Sequence, residues 1–236
     1  MKDGMIIGTG LLASSFEKHI NKLQGICIFA SGVSNSSCTD EAEFARELNL
    51  LKDTFEGLSL NESFAYFSTC SVYDPTLKHS AYIKHKQKIE LMILQRKNSH
   101  IFRLPQLAGN SKNTTTLLNF LSNSIESSSP INIWSKAERN IIDVEDATRT
   151  VIHYIKNHKN KNIIANVCNP CPTKILDIVR MLEKIKGKSA RVNYIEGGSF
   201  YDIPLDHTKE IYREIGLTFK DSYLEDTLRK YYSKKP

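Results

Sequence analysis

The chain has 236 residues, 40% of them hydrophobic and 25% charged, with a formal net charge of +6. That length buries a substantial core as one domain or as a domain with a smaller appendage. No run approaches about eighteen apolar residues and the N-terminus lacks an apolar secretory core, so a soluble cytoplasmic protein with no membrane contact is expected.

Met5-Ile6-Ile7 reads as an apolar strand that runs through Gly8-Thr9-Gly10 into a helix expected over Leu12 to Leu23. Two glycines let the backbone turn sharply beside a phosphate, Ala13 lets helix and strand pack closely, and the helix start faces the anion. This is a GxGxxA dinucleotide-binding signature, and its plainer reading is a turn that only changes direction. The acidic residue that would hold a ribose some twenty residues on is missing. The next strand, Ile26 to Ala30, ends in Ser31-Gly32.

After a polar loop through Thr39, Asp40 is an N-cap candidate for a helix to about Phe55. A strand over Ser63 to Ser68 leads into Thr69-Cys70-Ser71-Val72-Tyr73, and a helix over Ala81 to Gln95 carries Tyr82 and Lys86. A tyrosine and a lysine four apart share a helix face, so the ammonium is expected to lower the phenol's pKa toward neutral pH. Any lysine-rich helix also supplies such a pair by chance. The strand His100 to Leu104, the helix Thr114 to Ser124, a serine-rich loop over Ser122 to Ser129 and the strand Ile131 to Ile133 follow. The helix Asp143 to Asn157, the strand Ile163 to Asn166, the helix Thr173 to Lys186, the strand Arg191 to Ile195 and the helix Tyr223 to Tyr232 close the chain. Alternating strands and helices predict an α/β fold with a parallel, doubly wound sheet, its ligands at the strand ends marked by Gly8, Ser31, Thr69 and Pro105.

Five scattered cysteines fit reduced thiols better than a disulfide framework. Cys168-Asn169-Pro170-Cys171 has no second pair or histidine cluster beside it and reads as a turn, with metal or redox chemistry the lesser alternative. The positive charge suits nucleotides, but the lysines are interleaved with acids and not gathered with aromatics, so no nucleic-acid partner is expected. Lys156 to Lys161 reads as a solvated helix end, and Lys234-Lys235-Pro236 as a frayed tail.

Taken in order, these segments resemble the extended short-chain dehydrogenase/reductase family of nucleotide-sugar epimerases, dehydratases and ketoreductases. Ile7, Gly8-Thr9-Gly10 and Ala13 match its TGxxGxxG opening with two glycines replaced. Phe29-Ala30-Ser31-Gly32 is similar to its HxAA strand end, and Asn49 falls where its helix carries an asparagine. Phe67 to Tyr73 is similar to STxxVY, Ile101 to Pro105 with Gly109 to RxPxxxxG, and Arg139 to Asp146 to RDFxxVDD.

The resemblance implies a shortened Rossmann-like cofactor part over 1–109 and 140–168, and a small α/β substrate part over 110–139 and 169–236. It implies Thr69, Tyr82 and Lys86 as catalytic residues. Tyr82 would move the proton of a sugar carbonyl or alcohol, Lys86 would hold its pKa down and bind the nicotinamide ribose, and Thr69 would bind the same oxygen. NAD or NADP would lie against Gly8, Thr9, Gly10, Leu11, Leu12, Ala30, Ser31, Gly32, Asn49, Lys86 and Pro105. The substrate, a nucleotide sugar, would meet Ser71, Gln106 and Arg139. Arg139 suits a diphosphate, and a surface salt bridge to Glu138 or Asp143 is its alternative. No metal is implied, and a homodimer is.

Two departures stand out. The two strands and helix that the family places between the first helix and Ile26 are absent, as is most of the loop between Tyr73 and Tyr82. An NAD(P)-dependent nucleotide-sugar oxidoreductase, serving surface-polysaccharide synthesis as a ketoreductase or epimerase, and a non-catalytic sugar-nucleotide binder are therefore both open. The missing strands also predict a sheet that stops at the first strand, with that edge open to solvent or covered by a partner chain.

Overall fold

A computed structural model describes residues 3–158 and 161–233. Lys159, Asn160 and the tail Lys234-Lys235-Pro236 lie outside them.

The strands β1 (Met5–Ile7), β2 (Ile26–Phe29), β3 (Ser63–Thr69) and β4 (Ser99–Leu104) form one parallel sheet with a later strand, Ile163–Asn166, beside β4. Within it β1 pairs with β2 alone, so the sheet ends at the first strand as the missing segment predicts. The pleat sends alternate side chains to opposite faces. Ile26, Ile28, Ala65, Phe67 and Phe102 therefore pack with Phe16, Val151 and Ile155 on one side. Cys27, Phe29, Phe64, Tyr66 and Ile101 pack with Leu51, Ile89 and Ile93 on the other. Both faces being covered explains why these strands read as continuous apolar runs.

The helices are α1 (Leu11–Glu17), α2 (Glu41–Gly57), α3 (Ala81–Ile93), α4 (Leu117–Ser127), α5 (Val144–Asn157), α6 (Ile175–Lys186), α7 (Lys209–Glu214) and α8 (Tyr223–Tyr232). Side-chain caps fix several starts, because the first N–H groups of a helix lack partners inside it. Asp40 accepts from the Ala42 amide at 2.8 Å, Ser80 from Ile83 at 3.2 Å and Asp143 from Glu145 at 2.8 Å.

Several boundaries differ from expectation for local reasons. The helix α1 stops at Glu17, and a short 3-10 turn over Ile20–Lys22 then brings Leu23 into the core against Gly4. The start of α4 moves to Leu117 because the Asn113 side chain accepts from the Thr115 amide at 2.9 Å, closing a turn that competes with the helix. Ser122 to Ser127 are helical, not a loop, since Leu118, Leu121 and Ile125 recur at helical spacing and bury. Thr173–Lys174 leaves α6 to pair antiparallel with Glu138–Arg139. After Pro105 ends β4, Gln106–Ala108 pairs parallel with Ile141–Asp143, and the Gln106 amide donates to the Asn140 carbonyl at 3.2 Å. A separate core joins α4, α6, α8 and the strand pair Pro130–Trp134 and Arg191–Ile195.

Candidate functional site

A cleft of about 300 Å³ opens at the carboxyl ends of β1 to β4. That volume sits at the lower end of the range for small-molecule sites. Gly10, Leu11 and Leu12 form one wall, and Ala30, Gly32, Thr69, Ser71, Tyr82, Lys86, Pro105, Gln106 and Arg139 are also on its surface. Most residues singled out from the sequence thus converge here.

Gly8 and Thr9 are not on that surface. Gly8 has a backbone φ of +124°, and a Cβ there would lie 2.4 Å from the Ala30 carbonyl oxygen, so this glycine lets the turn cross the end of β2. A Cβ on Gly10 would meet nothing within 4 Å, which leaves the backbone open to an approaching ligand. Ser31 is also outside the cleft, its carbonyl accepting from Arg46 at 3.3 Å. Asn49 is exposed on the outer face of α2. At about 100° per residue it points away from the face that carries Glu47, and this corrects the expectation that it touches a cofactor.

Thr69 ends β3 and caps the next turn, its Oγ1 accepting from the Ser71 amide at 3.0 Å. Tyr82 is buried, with its phenol beside the Thr69 side chain. Lys86 Nζ lies 5.9 Å from the centre of the Tyr82 ring. The same ammonium donates to Glu47 Oε1 at 3.1 Å and to the Tyr66 hydroxyl at 3.0 Å. Tyr66 donates onward to Glu47 Oε1 at 2.6 Å, while Glu47 Oε2 accepts from the Val33 amide at 2.8 Å and lies 3.0 Å from His85 Nε2.

The charges in this cluster differ from expectation. Burial alone would raise the Glu47 pKa, but hydrogen bonds from His85 and Tyr66 and the Lys86 charge bring it down to about 2. Burial lowers that of Lys86, with Glu47 opposing. Burial pushes Tyr82 up to about 12, its bond to Thr69 opposing and the Glu47 charge adding to the rise. The expectation that Lys86 brings the phenol toward neutral pH is therefore corrected: the ammonium is matched by a carboxylate 3.1 Å away, and a buried phenol resists ionisation.

Arg139 donates to the carbonyls of Glu138 at 2.7 Å and Ser199 at 3.3 Å, and makes no ion pair to Glu138 or Asp143. Asp143 instead binds Lys230 at 2.8 Å. The loop that holds Ser199 brings Tyr201 over the cleft, where its phenol lies beside Ser71. Asn140 is buried at the same wall and donates to the Asn169 carbonyl. Sequence reasoning passed over Glu47, Tyr66, Asn140 and Tyr201. A signal for Glu47 existed: it stands four residues before the buried Leu51 and three after Phe44, on the apolar face of an amphipathic helix.

The CxxC is a turn. Cys168 is buried with its amide and carbonyl bonded to the Tyr212 hydroxyl, whereas Cys171 is exposed and donates its amide to Asn169 Oδ1. Among the described residues no cluster of three or more His, Cys, Asp or Glu side chains could hold a metal, and no helix is long and apolar enough to cross a membrane.

No family model matches the chain, and no curated protein matches it. Solved structures do. MoeE5 in complex with UDP-glucuronic acid and NAD aligns at a TM-score of 0.74 and 12% identity, covering 96% of this chain and 97% of that one. RMD from Pseudomonas aeruginosa, complexed with NADPH, aligns at 0.71 and 13% identity over 97% of each chain. UDP-glucuronic acid 4-epimerase from Bacillus cereus, with UDP-glucuronic acid and NAD, aligns at 0.69 and 19% identity over 94% of this chain and 76% of that one. The chain shares their fold. At these identities the likeness establishes a Rossmann-like α/β architecture, and the chemistry has to be argued from the cleft.

Proposed function

We propose that the chain is an NAD(P)-dependent oxidoreductase acting on a nucleotide-linked sugar, of the 4-ketoreductase or epimerase type, serving surface-polysaccharide synthesis in the cytoplasm. The observation that carries this reading is the meeting of Thr69, Tyr82 and Lys86 on one cleft wall, with the glycine turn on another. The fold shared with structures that hold NAD or NADPH supports it.

A nicotinamide dinucleotide, when bound, supplies the hydride. Gly10, Leu11, Leu12, Ala30, Gly32, Lys86 and Pro105 would hold its nicotinamide and pyrophosphate, and the open space over Gly10 fits that approach. Among the described residues no strand lies beyond β1 to wall its adenosine. Gly8 shapes the turn that brings Gly10 to the cleft. Tyr82 exchanges a proton with the reacting sugar oxygen while Thr69 holds both in line. Ser71 and Gln106 would position the sugar, and the Arg139 fork its diphosphate. In this reading 1–109 and 140–168 form the cofactor part, and 110–139 and 169–236 the substrate part. A homodimer would pair α2 and α3 across a two-fold axis, where exposed Glu41, Glu43, Asp53 and Glu56 can oppose Lys84 and Lys88.

A second reading, a non-catalytic sugar-nucleotide binder, is favoured by the engagement of Lys86 with Glu47 and by the open β1 edge. Melting temperatures with nucleotide sugars and with NAD, NADP and their reduced forms separate the two, since a ligand of the folded state raises Tm by mass action. Stabilisation by both ligand classes together with nicotinamide oxidation supports the enzyme. Stabilisation by nucleotide sugar alone, without turnover, supports the binder.

A further inference from the structure

A charged side chain in β4 is out of keeping with its apolar neighbours Ile101, Phe102 and Leu104. Arg103 stands two residues after Ile101 and so shares its face of the sheet, the face that α3 covers. It is not on the cleft surface. We propose that Arg103 is a positioning residue that holds the 3-10 turn Cys70–Tyr73, which follows Thr69 and carries Ser71, in a fixed relation to α3, which carries Tyr82 and Lys86. This rests on reading the cleft as an oxidoreductase site, where the reaction needs those side chains in register.

On the helix side, Tyr82, Lys86 and Glu90 recur every four residues and form one ridge along α3. All three are buried. Arg103 grips Glu90 with two parallel bonds, Nε to Oε1 at 2.9 Å and Nη2 to Oε2 at 2.6 Å. A planar fork on a carboxylate fixes angle as well as distance. The ridge is therefore set both along the sheet and in rotation about the helix axis, one turn beyond Lys86.

On the turn side, Arg103 Nη1 donates to the Tyr73 hydroxyl at 3.2 Å, and the guanidinium carbon lies 5.7 Å from the centre of the Tyr73 ring. Asn166, the register partner of Arg103 on the strand Ile163–Asn166, donates to the same hydroxyl at 2.9 Å. The Arg103 carbonyl accepts from the Cys70 thiol at 3.2 Å and from the Val167 amide at 3.0 Å. Both ends of the turn, Cys70 and Tyr73, are thus tied to one residue of β4, and Thr69, whose side chain caps the turn, stands directly before it. Stability alone is a poor reason for the ion pair, since apolar residues of similar volume often serve a fold as well. What they lack is a bond to both elements, which the fork of donors on one arginine supplies.

Stability cycles test the link without any ligand. If Glu90 and Tyr73 are coupled through Arg103, the shift in urea midpoint of Glu90→Gln with Tyr73→Phe should depart from the sum of the single shifts. Additive shifts would overturn the proposal. Turnover of a nucleotide-linked keto sugar with a reduced nicotinamide gives the second readout. Arg103→Lys keeps the charge and loses the fork. Its kcat should fall by about tenfold to a hundredfold, the effect of a displacement of about 1 Å, with the KM of both substrates within about twofold of the wild type. In a Tyr82→Phe background the same substitution should lower kcat by less than about twofold, because the group it would misplace is already gone. An unchanged kcat, a rise in KM alone, or equal losses in the two backgrounds would overturn the positioning role, since a general loosening acts whether or not Tyr82 has its hydroxyl. If Arg103→Lys does not fold, Tyr73→Phe, which removes the turn-side bond alone, takes its place in the same comparison. Absence of hydride transfer by the wild type with every nucleotide sugar would remove the oxidoreductase reading, and the urea cycle would still decide whether Arg103 joins turn and helix.

Discussion

Acid should loosen this fold through Glu47, and the size of the effect follows from its surroundings. The carboxyl is fully buried, and its pKa lies at about 2 where an ordinary glutamate lies near 4.5. A group whose folded pKa is depressed stabilises the fold above its unfolded pKa and loses that contribution as pH falls through the folded one. At about 1.4 kcal/mol per pH unit, the interval amounts to roughly 3 kcal/mol, present above about pH 5 and more than half gone by about pH 3. Urea unfolding of the wild type and Glu47→Gln at a series of pH values measures it, because glutamine cannot titrate. The gap between the two should narrow as pH falls from about 5 toward 3. Parallel curves over that range would mean that Glu47 is not held ionised by His85, Lys86 and Tyr66.

Gly8→Ala should cost more than about 1 kcal/mol, since a φ of +124° and the Ala30 carbonyl 2.4 Å from the new Cβ both oppose it; chemical denaturation checks this. Asn49→Ala, on the exposed face of α2, should change stability by less than about 0.5 kcal/mol and leave any cofactor-induced Tm rise unaltered. Calorimetric titration should show weak binding of NAD and NADP with little preference, because among the described residues no strand lies beyond β1 to hold a ribose. Sub-micromolar affinity for one, with about a hundredfold preference, would mean that another segment rebuilds that pocket.

The sheet was legible because strands covered on both faces are written as apolar runs, as in Ser63–Thr69, and because Asp40 and Asp143 stand at helix starts with caps the backbone needs. Tyr82 and Lys86 were legible as a pair, since four residues on a helix fix which side chains share a face, and Thr69 came from the resemblance of Phe67 to Tyr73 to STxxVY. Glu47 was masked by composition: among Glu41, Glu43 and Arg46 it looks like one more surface charge, and its spacing to Phe44 and Leu51 is the one local sign that it faces the core. The same blindness misassigned Asn49, two residues along the helix from the face that matters. Tyr201 reaches the cleft through a loop whose path depends on Arg139 binding the Ser199 carbonyl and Ser199 binding Asp74, contacts that no local pattern announces.

The central claim is that Tyr82 moves the proton in a hydride-transfer reaction, and turnover by Tyr82→Phe tests it most directly. With a nucleotide-linked keto sugar and a reduced nicotinamide, the variant should fold with wild-type stability to within about 1 kcal/mol, because it removes only one hydroxyl, beside Thr69, and keeps the ring. Its kcat should fall by roughly two to four orders of magnitude, the usual contribution of a positioned acid. A folded variant that turns over at close to the wild-type rate would contradict the account.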